Sequence, residues 1–247
     1  MKSSDLGINN IADFLAPGWN TKKKGDFMFD EQFQIEGIPL SWFYKRLFSV
    51  HTIPPQLQIR PKIDLFLEGK PSPYTAKDKL KNKLLRQAFF FNEKAKMKTG
   101  FTTGPDSSRK EILFLTYLEH INSKNEKIFR IEEIIVHLKK ENKVEPLILC
   151  ASSQSQPFFS FIRQKSSIKR DDLSLIYNHI TPEIKIKSEG WAREVSSRFV
   201  ALRGDIEKMF EGGLWEVLRG FFDFYFSKEF LYSLAVYYET SKSIIIT

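Results

Sequence analysis

Seven of the chain's eleven prolines fall in its first third, at positions 17, 39, 54, 55, 61, 71 and 73. Proline lacks the amide donor and fixes its own φ, so this stretch cannot hold a long helix. Short strands and turns are expected there. Phe27, Phe29, Phe33 and Ile35 alternate in part with polar residues, and Leu57, Ile59, Ile63, Leu65 and Leu67 give further period-two runs, the pattern of half-buried strands. A small sheet is the prediction.

Beyond Pro73 the period changes. Leu80, Leu84, Ala88 and Phe91 recur at helical spacing over residues 76–91, with lysines on the remaining faces, which predicts a basic amphipathic helix whose apolar stripe packs inward. Gly100, Gly104, Pro105, Asp106, Ser107 and Ser108 then mark a loop and a boundary, dividing a strand-containing, proline-rich basic part (1–104) from a helix-rich domain (105–247).

In the second part, Ile112, Leu115, Leu118 and Ile121 predict a helix over 109–121. Ile131, Ile134, Ile135 and Leu138 predict another over 131–141. Residues 146–151 read as a short buried strand, and 157–168 are ambiguous, able to extend that sheet. Further helices are expected over 171–179, 189–203, 205–226 with a break at Gly212 and Gly213, and 228–238. The β-branched end, Ile244, Ile245 and Ile246, is expected to pair with a sheet edge. The fold class is α+β: a small strand-containing N-terminal part, a basic amphipathic helix, and a larger helix-rich C-terminal part with a short sheet.

The 247 residues can bury a sizeable core without disulfides or metals, and 42% hydrophobic and 14% aromatic content is far from that of disordered chains. Cys150 is the only cysteine, which excludes an intrachain disulfide and a Cys-rich zinc module. A reducing compartment fits best. The N-terminal residues lack a signal peptide's uninterrupted apolar run, and Gly220 to Tyr238 is broken by Asp223, Lys228 and Glu229, so a soluble, cytoplasmic protein with no transmembrane segment is expected.

The net charge of +8 is unevenly placed: residues 1–98 hold 17 Lys and Arg against 10 Asp and Glu, and the rest 21 against 20. Residues 70–98 alone carry nine basic residues against Asp78 and Glu93. Such a cluster of like charges repels itself unless an anion or nearby carboxylates offset it.

A metal-dependent nuclease places a strand before an acid and a lysine two residues on, with a further acid to complete the metal site. Glu68 with Lys70 has the step, but its partner acids are badly placed. Asp171, Asp172, Glu183 and Lys185 are better spaced, but Thr181 and Pro182 replace the apolar lead-in. The four histidines, His51, His120, His137 and His179, form no i, i+4 pair, and no metal ligand or cofactor is expected. Nothing near Cys150, Ser152, Ser153 or Ser155 marks a nucleophile, and Cys150 reads as a small buried apolar residue. The Thr99 to Pro105 stretch lacks the adjacent lysine and hydroxyl pair of a nucleotide loop. The helices at 109–121 and 131–141, with Lys139, Lys140 and Lys143 near the second one's end, match a helix-turn-helix only loosely. The aromatic crowd of Phe221, Phe222, Phe224, Tyr225, Phe226, Phe230, Tyr232, Tyr237 and Tyr238 reads as core rather than a ligand pocket.

Function therefore rests on charge. The leading expectation is a non-enzymatic binding or regulatory protein for a polyanion, most simply nucleic acid, using Lys77, Lys79, Lys81, Lys83 and Arg86. The alternative is a metal-dependent nuclease or phosphodiesterase.

Overall fold

The computed structural model describes residues 28–41, 60–70, 75–99, 112–122, 124–129, 131–142, 146–152, 156–170, 172–208 and 214–246. In chain order they form α1 (Phe29–Gln32), β1 (Gln34–Ile35), β2 (Ile38–Pro39), α2 (Arg60–Leu67), α3 (Ala76–Lys98), β3 (Ile112–Tyr117), α4 (Glu132–His137), β4 (Pro146–Ala151), α5 (Phe158–Ser167), β5 (Leu173–Leu175), α6 (Pro182–Ala201), α7 (Arg203–Lys208), α8 (Leu214–Tyr225) and α9 (Lys228–Ile246). The class is α+β, mostly helical, with two small sheets among the described residues. Two compact units form, residues 1–87 with 190–232 and residues 88–189 with 233–247. The boundary expected near residue 104 lies outside the described residues.

In the first unit, the strand expected from Phe27 is instead a helical turn followed by a hairpin; Phe27 itself lies outside the described residues. Phe29 and Phe33 are four apart, so a helical turn sends both rings the same way, to 4.7 Å between centroids and full burial. The hairpin pairs Ile35 with Ile38 across Glu36 and Gly37, whose φ values of 48° and 83° make the left-handed turn that matches strand twist. Two side chains of α6 hold this segment: Trp191 Nε1 donates to the Gln34 carbonyl at 3.1 Å and Arg198 Nη1 to that of Gln32 at 2.9 Å.

Of the second expected strand run, Leu57 and Ile59 lie outside the described residues and the remainder is also a helix. Residues 63–67 lie in α2, where Ile63 is buried, Phe66 half-buried and Leu65 exposed, a spacing of three rather than two. Pro61 sits in the first turn, where its missing amide costs no helical bond. At the far end the Lys70 amide bonds the Leu65 carbonyl at 2.8 Å and the Gly69 amide that of Phe66 at 3.0 Å, with Gly69 at φ 72°. This is the glycine-terminated helix stop.

Most of the aromatic crowd is core, as expected, while Tyr232, Tyr237 and Tyr238 are only half-buried. Phe199 of α6 stacks on Phe226 at 4.4 Å and 9°, while Phe33 and Phe29 meet Phe226 edge-on at 4.9 and 5.8 Å. Phe221, Phe222, Phe224, Tyr225 and Phe230 are buried beside them.

In the second unit β3, β4 and β5 form a parallel sheet with β4 in the centre, Leu115 facing Leu149 and Cys150 facing Leu175. Residues 146–150 are all buried, the continuous apolar run of a central parallel strand. The helix expected over 109–121 is β3 followed by a short 3-10 turn, Leu118–His120. Ile112 to Tyr117 is apolar nearly throughout, and pairing with β4 overrides its helical spacing. The helix-turn-helix reading thereby loses its first helix. The second, 131–141, is α4 continued by a π-helical turn, Leu138–Asn142. Parallel pairing needs long crossovers, and α4 and α5 lie within them, which makes 157–168 a helix rather than sheet.

The helix expected over 171–179 is β5 with a 3-10 turn, Ile176–His179. The next helix, α6, starts seven residues ahead of expectation, at Pro182, where the Thr181 hydroxyl accepts the Ile184 amide at 3.3 Å. The C-terminal isoleucines continue α9 rather than joining a sheet edge, because extending an existing helix adds a bond for each residue fixed.

Two substitutions test this packing by urea unfolding. Phe226→Ala should cost about 4 kcal/mol through its cavity. Gly69→Ala should cost about 1 kcal/mol from backbone strain alone, since a Cβ there meets nothing within 4 Å.

Candidate polyanion-binding site

The basic helix exists and is longer than expected, 23 residues over Ala76–Lys98. A reciprocal cap starts it: the Asp78 amide donates to Thr75 Oγ1 at 3.2 Å, and the Thr75 amide donates to Asp78 Oδ2 at 2.9 Å. The Thr75 hydroxyl, which donates to Asp78 Oδ2 at 2.6 Å, and the Thr75 amide, with the charges of Lys62 and Lys81, hold the Asp78 carboxyl below the usual range.

The rotation of α3 about its axis is not the one expected. The stripe of Leu80, Leu84, Ala88 and Phe91 faces water, and the buried positions are Asn82, Glu93, Lys96 and Met97, with Leu85, Arg86 and Phe89 half-buried. Both sets have helical spacing. Polar anchors select between them: Asn82 Nδ2 donates to the Gly220 carbonyl at 2.7 Å in the first unit, and Glu93 Oε2 accepts from the Tyr237 hydroxyl in the second.

Lys77, Lys79, Lys81 and Lys83 are exposed. Among the described residues none of the four is in a salt bridge. Arg86, expected as a fifth member, turns the other way. It is half-buried, and its charge acts on Asp223 together with those of Arg203 and Arg219, although burial still raises that carboxyl above its ordinary value. The structure thus brings four of the five expected cations into water.

A buried polar network, missed in the sequence, lies in the second unit. Tyr237 donates a short hydrogen bond to Glu93 Oε2, and its hydroxyl meets that of Tyr177 at 3.3 Å. The Ser152 amide bonds the Tyr177 hydroxyl, and Ser152 Oγ donates to Gln156 at 2.6 Å. Gln156 reaches Gln164, which donates to the Leu118 carbonyl at 2.6 Å. These residues follow the carboxyl ends of β3 and β4, where open parallel sheets place ligands. Here, however, the side chains satisfy one another, and burial raises Glu93 despite its Lys96 and Tyr237 partners. The one available signal was the helical spacing of Glu93 and Lys96 with Asn82.

Among the described residues the nuclease-like sets do not assemble. Glu68 and Lys70 flank the α2 stop at 3.7 Å, both largely exposed, and follow a helix rather than a strand. Asp171 lies outside the described residues. Asp172 is clamped by Arg170 at 2.9 Å through both carboxylate oxygens and by Lys139 at 2.6 Å, while Arg170 also holds Glu132 at 2.6 Å. Glu183 is fully exposed in the first turn of α6.

Among the described residues no three His, Cys, Asp or Glu side chains are grouped to hold a metal ion. His120 packs between Tyr117 and Phe129, and His137 lies 3.7 Å from Glu141. His179 meets Ser174 Oγ at 2.8 Å, with its pKa lowered by burial. His51, Ser153, Ser155, Lys143, the glycine pair at 212 and 213, and the 100–105 loop lie outside the described residues. Cys150 is buried, as expected, and burial pushes its thiol up to about 12.

No protein-family model, curated protein or solved structure matches this chain.

The Asp172 clamp predicts a pH effect. Burial raises this carboxyl, but the Arg170 and Lys139 hydrogen bonds and charges outweigh it and bring it from 3.8 to about 2. A depressed carboxyl stabilises above its unfolded pKa and loses that contribution as pH falls through the folded one, here between about pH 4 and 2. Asp172→Asn should lower stability at pH 7 and flatten the acid limb in that window, measured by urea unfolding at successive pH values.

Proposed function

We propose that the protein is a binding or regulatory protein that engages a polyanionic partner through Lys77, Lys79, Lys81 and Lys83 on the outward side of α3. The observation that carries this reading is four exposed lysines within seven residues of a capped helix, with no salt bridge among the described residues. A phosphate-bearing surface neutralises such a row and releases the counterions held by both partners. Arg86, committed toward Asp223, is left out of the contact set.

The test replaces Lys79, Lys81 and Lys83 together by Gln, which keeps helix propensity while removing charge. Binding of parent and variant to duplex DNA, single-stranded RNA and anionic lipid vesicles is then followed over a salt series. The parent is expected to bind at least one of these, weakening with salt. On duplex DNA the slope should fall by roughly 0.9 for each phosphate contact removed. An unaltered variant, or a parent that binds none of the three, would falsify the reading.

A further inference from the structure

We propose that the polyanion met by α3 is the headgroup layer of an anionic lipid bilayer, on which the helix lies in plane with Leu80, Leu84 and Phe91 entering the acyl boundary. This rests on the polyanion reading above and names its partner.

The observation is an apolar ridge set among the lysines. Successive helical residues turn by about 100°, so Leu80, Leu84 and Phe91 project within about 40° of one another. Their fractional exposures are 60%, 56% and 69%. By the same geometry Lys77 and Lys81 fall on one flank of this ridge, Lys83 and Lys94 on the other, and Lys98 on its line; all five are exposed. Leu80 and Phe91 are about 16 Å apart along the axis at 1.5 Å per residue.

A nucleic-acid backbone accounts for the lysines but not for the ridge, because phosphate contacts are polar and would leave Leu80, Leu84 and Phe91 without an apolar partner. A bilayer surface accounts for both. Its anionic headgroups attract cations on long flexible stems, and its acyl boundary takes up Leu and Phe side chains between them. The ridge cannot be satisfied by turning α3 inward, since the opposite side is held by Asn82 on Gly220 and by Glu93, which accepts from Tyr237. In-plane attachment also agrees with the helices themselves, none of which among the described residues is long and apolar enough to cross a membrane.

The experiment is flotation of the full chain with phosphatidylcholine vesicles, with and without phosphatidylserine, beside duplex DNA and single-stranded RNA. The parent should bind the serine-containing vesicles in preference to neutral ones. Leu80→Ser, Leu84→Ser and Phe91→Ser together should weaken that binding at least 10-fold while leaving its salt slope in place. Each lysine changed to Gln should weaken it roughly five-fold. The three serine positions are exposed, so the melting curve should match the parent's. An independent variant, Phe91→Trp, should gain indole fluorescence that is quenched by brominated acyl chains beyond the parent's own signal.

A parent that binds nucleic acid and ignores anionic vesicles overturns the lipid assignment and leaves the polyanion reading standing. Full vesicle binding by the serine variant, or no added quenching in Phe91→Trp, likewise removes the lipid assignment alone. A parent that binds neither lipid nor nucleic acid removes both.

Discussion

Glu93 and Lys96 lie one turn apart on α3, 3.0 Å from each other and almost without access to water. A buried charge left without its partner is costly, so neither member can be lost alone. Tyr237 adds a hydrogen bond to the same carboxylate, and Asn82 repeats the constraint nearer the start of the helix through Gly220. Polar contacts thereby determine how α3 is rotated. Everything that its outer side offers to a partner follows from that rotation.

The first unit depends on a different interaction, the stacking of aromatic rings from segments far apart in sequence. Phe199, Phe222 and Phe226 lie nearly parallel, and Phe29 and Phe33 close on them edge-on. Edge-on and offset rings exploit the quadrupole, and each such pair adds to what burial of the ring already contributes. The one-turn helix α1 exists because it delivers two of these rings together. Without that destination, Phe29 to Ile35 would have little reason to leave an extended conformation.

The second unit is organised by parallel pairing. The central strand is buried from Pro146 to Cys150, and the residues past the carboxyl ends of β3 and β4 carry a chain of hydroxyls and amides that ends on Glu93. Near β5 the Arg170 guanidinium joins Asp172 to Glu132 and to the Glu126 carbonyl. This bidentate pairing ties the strand to α4 and explains why the Asp172 carboxylate is occupied structurally.

Much was legible in the residues alone. The class, the buried strand at 146–151, the aromatic core and the basic helix all follow from spacing, apolar runs and charge, which act over one or two turns of chain. What failed was of one kind. Ile112 to Ile121 fits a helix by spacing and a strand by content, and only the availability of β4 decides. Leu65, Leu67 and Glu68 looked like a strand end until Gly69 proved to terminate a helix. On α3, two stripes two residues apart are equally periodic, and the chain buries the more polar one because Gly220 and Tyr237 supply its partners. Periodicity records that a helix has faces. Which face is covered depends on hydrogen-bond partners more than a hundred residues away, and that choice belongs to the tertiary structure.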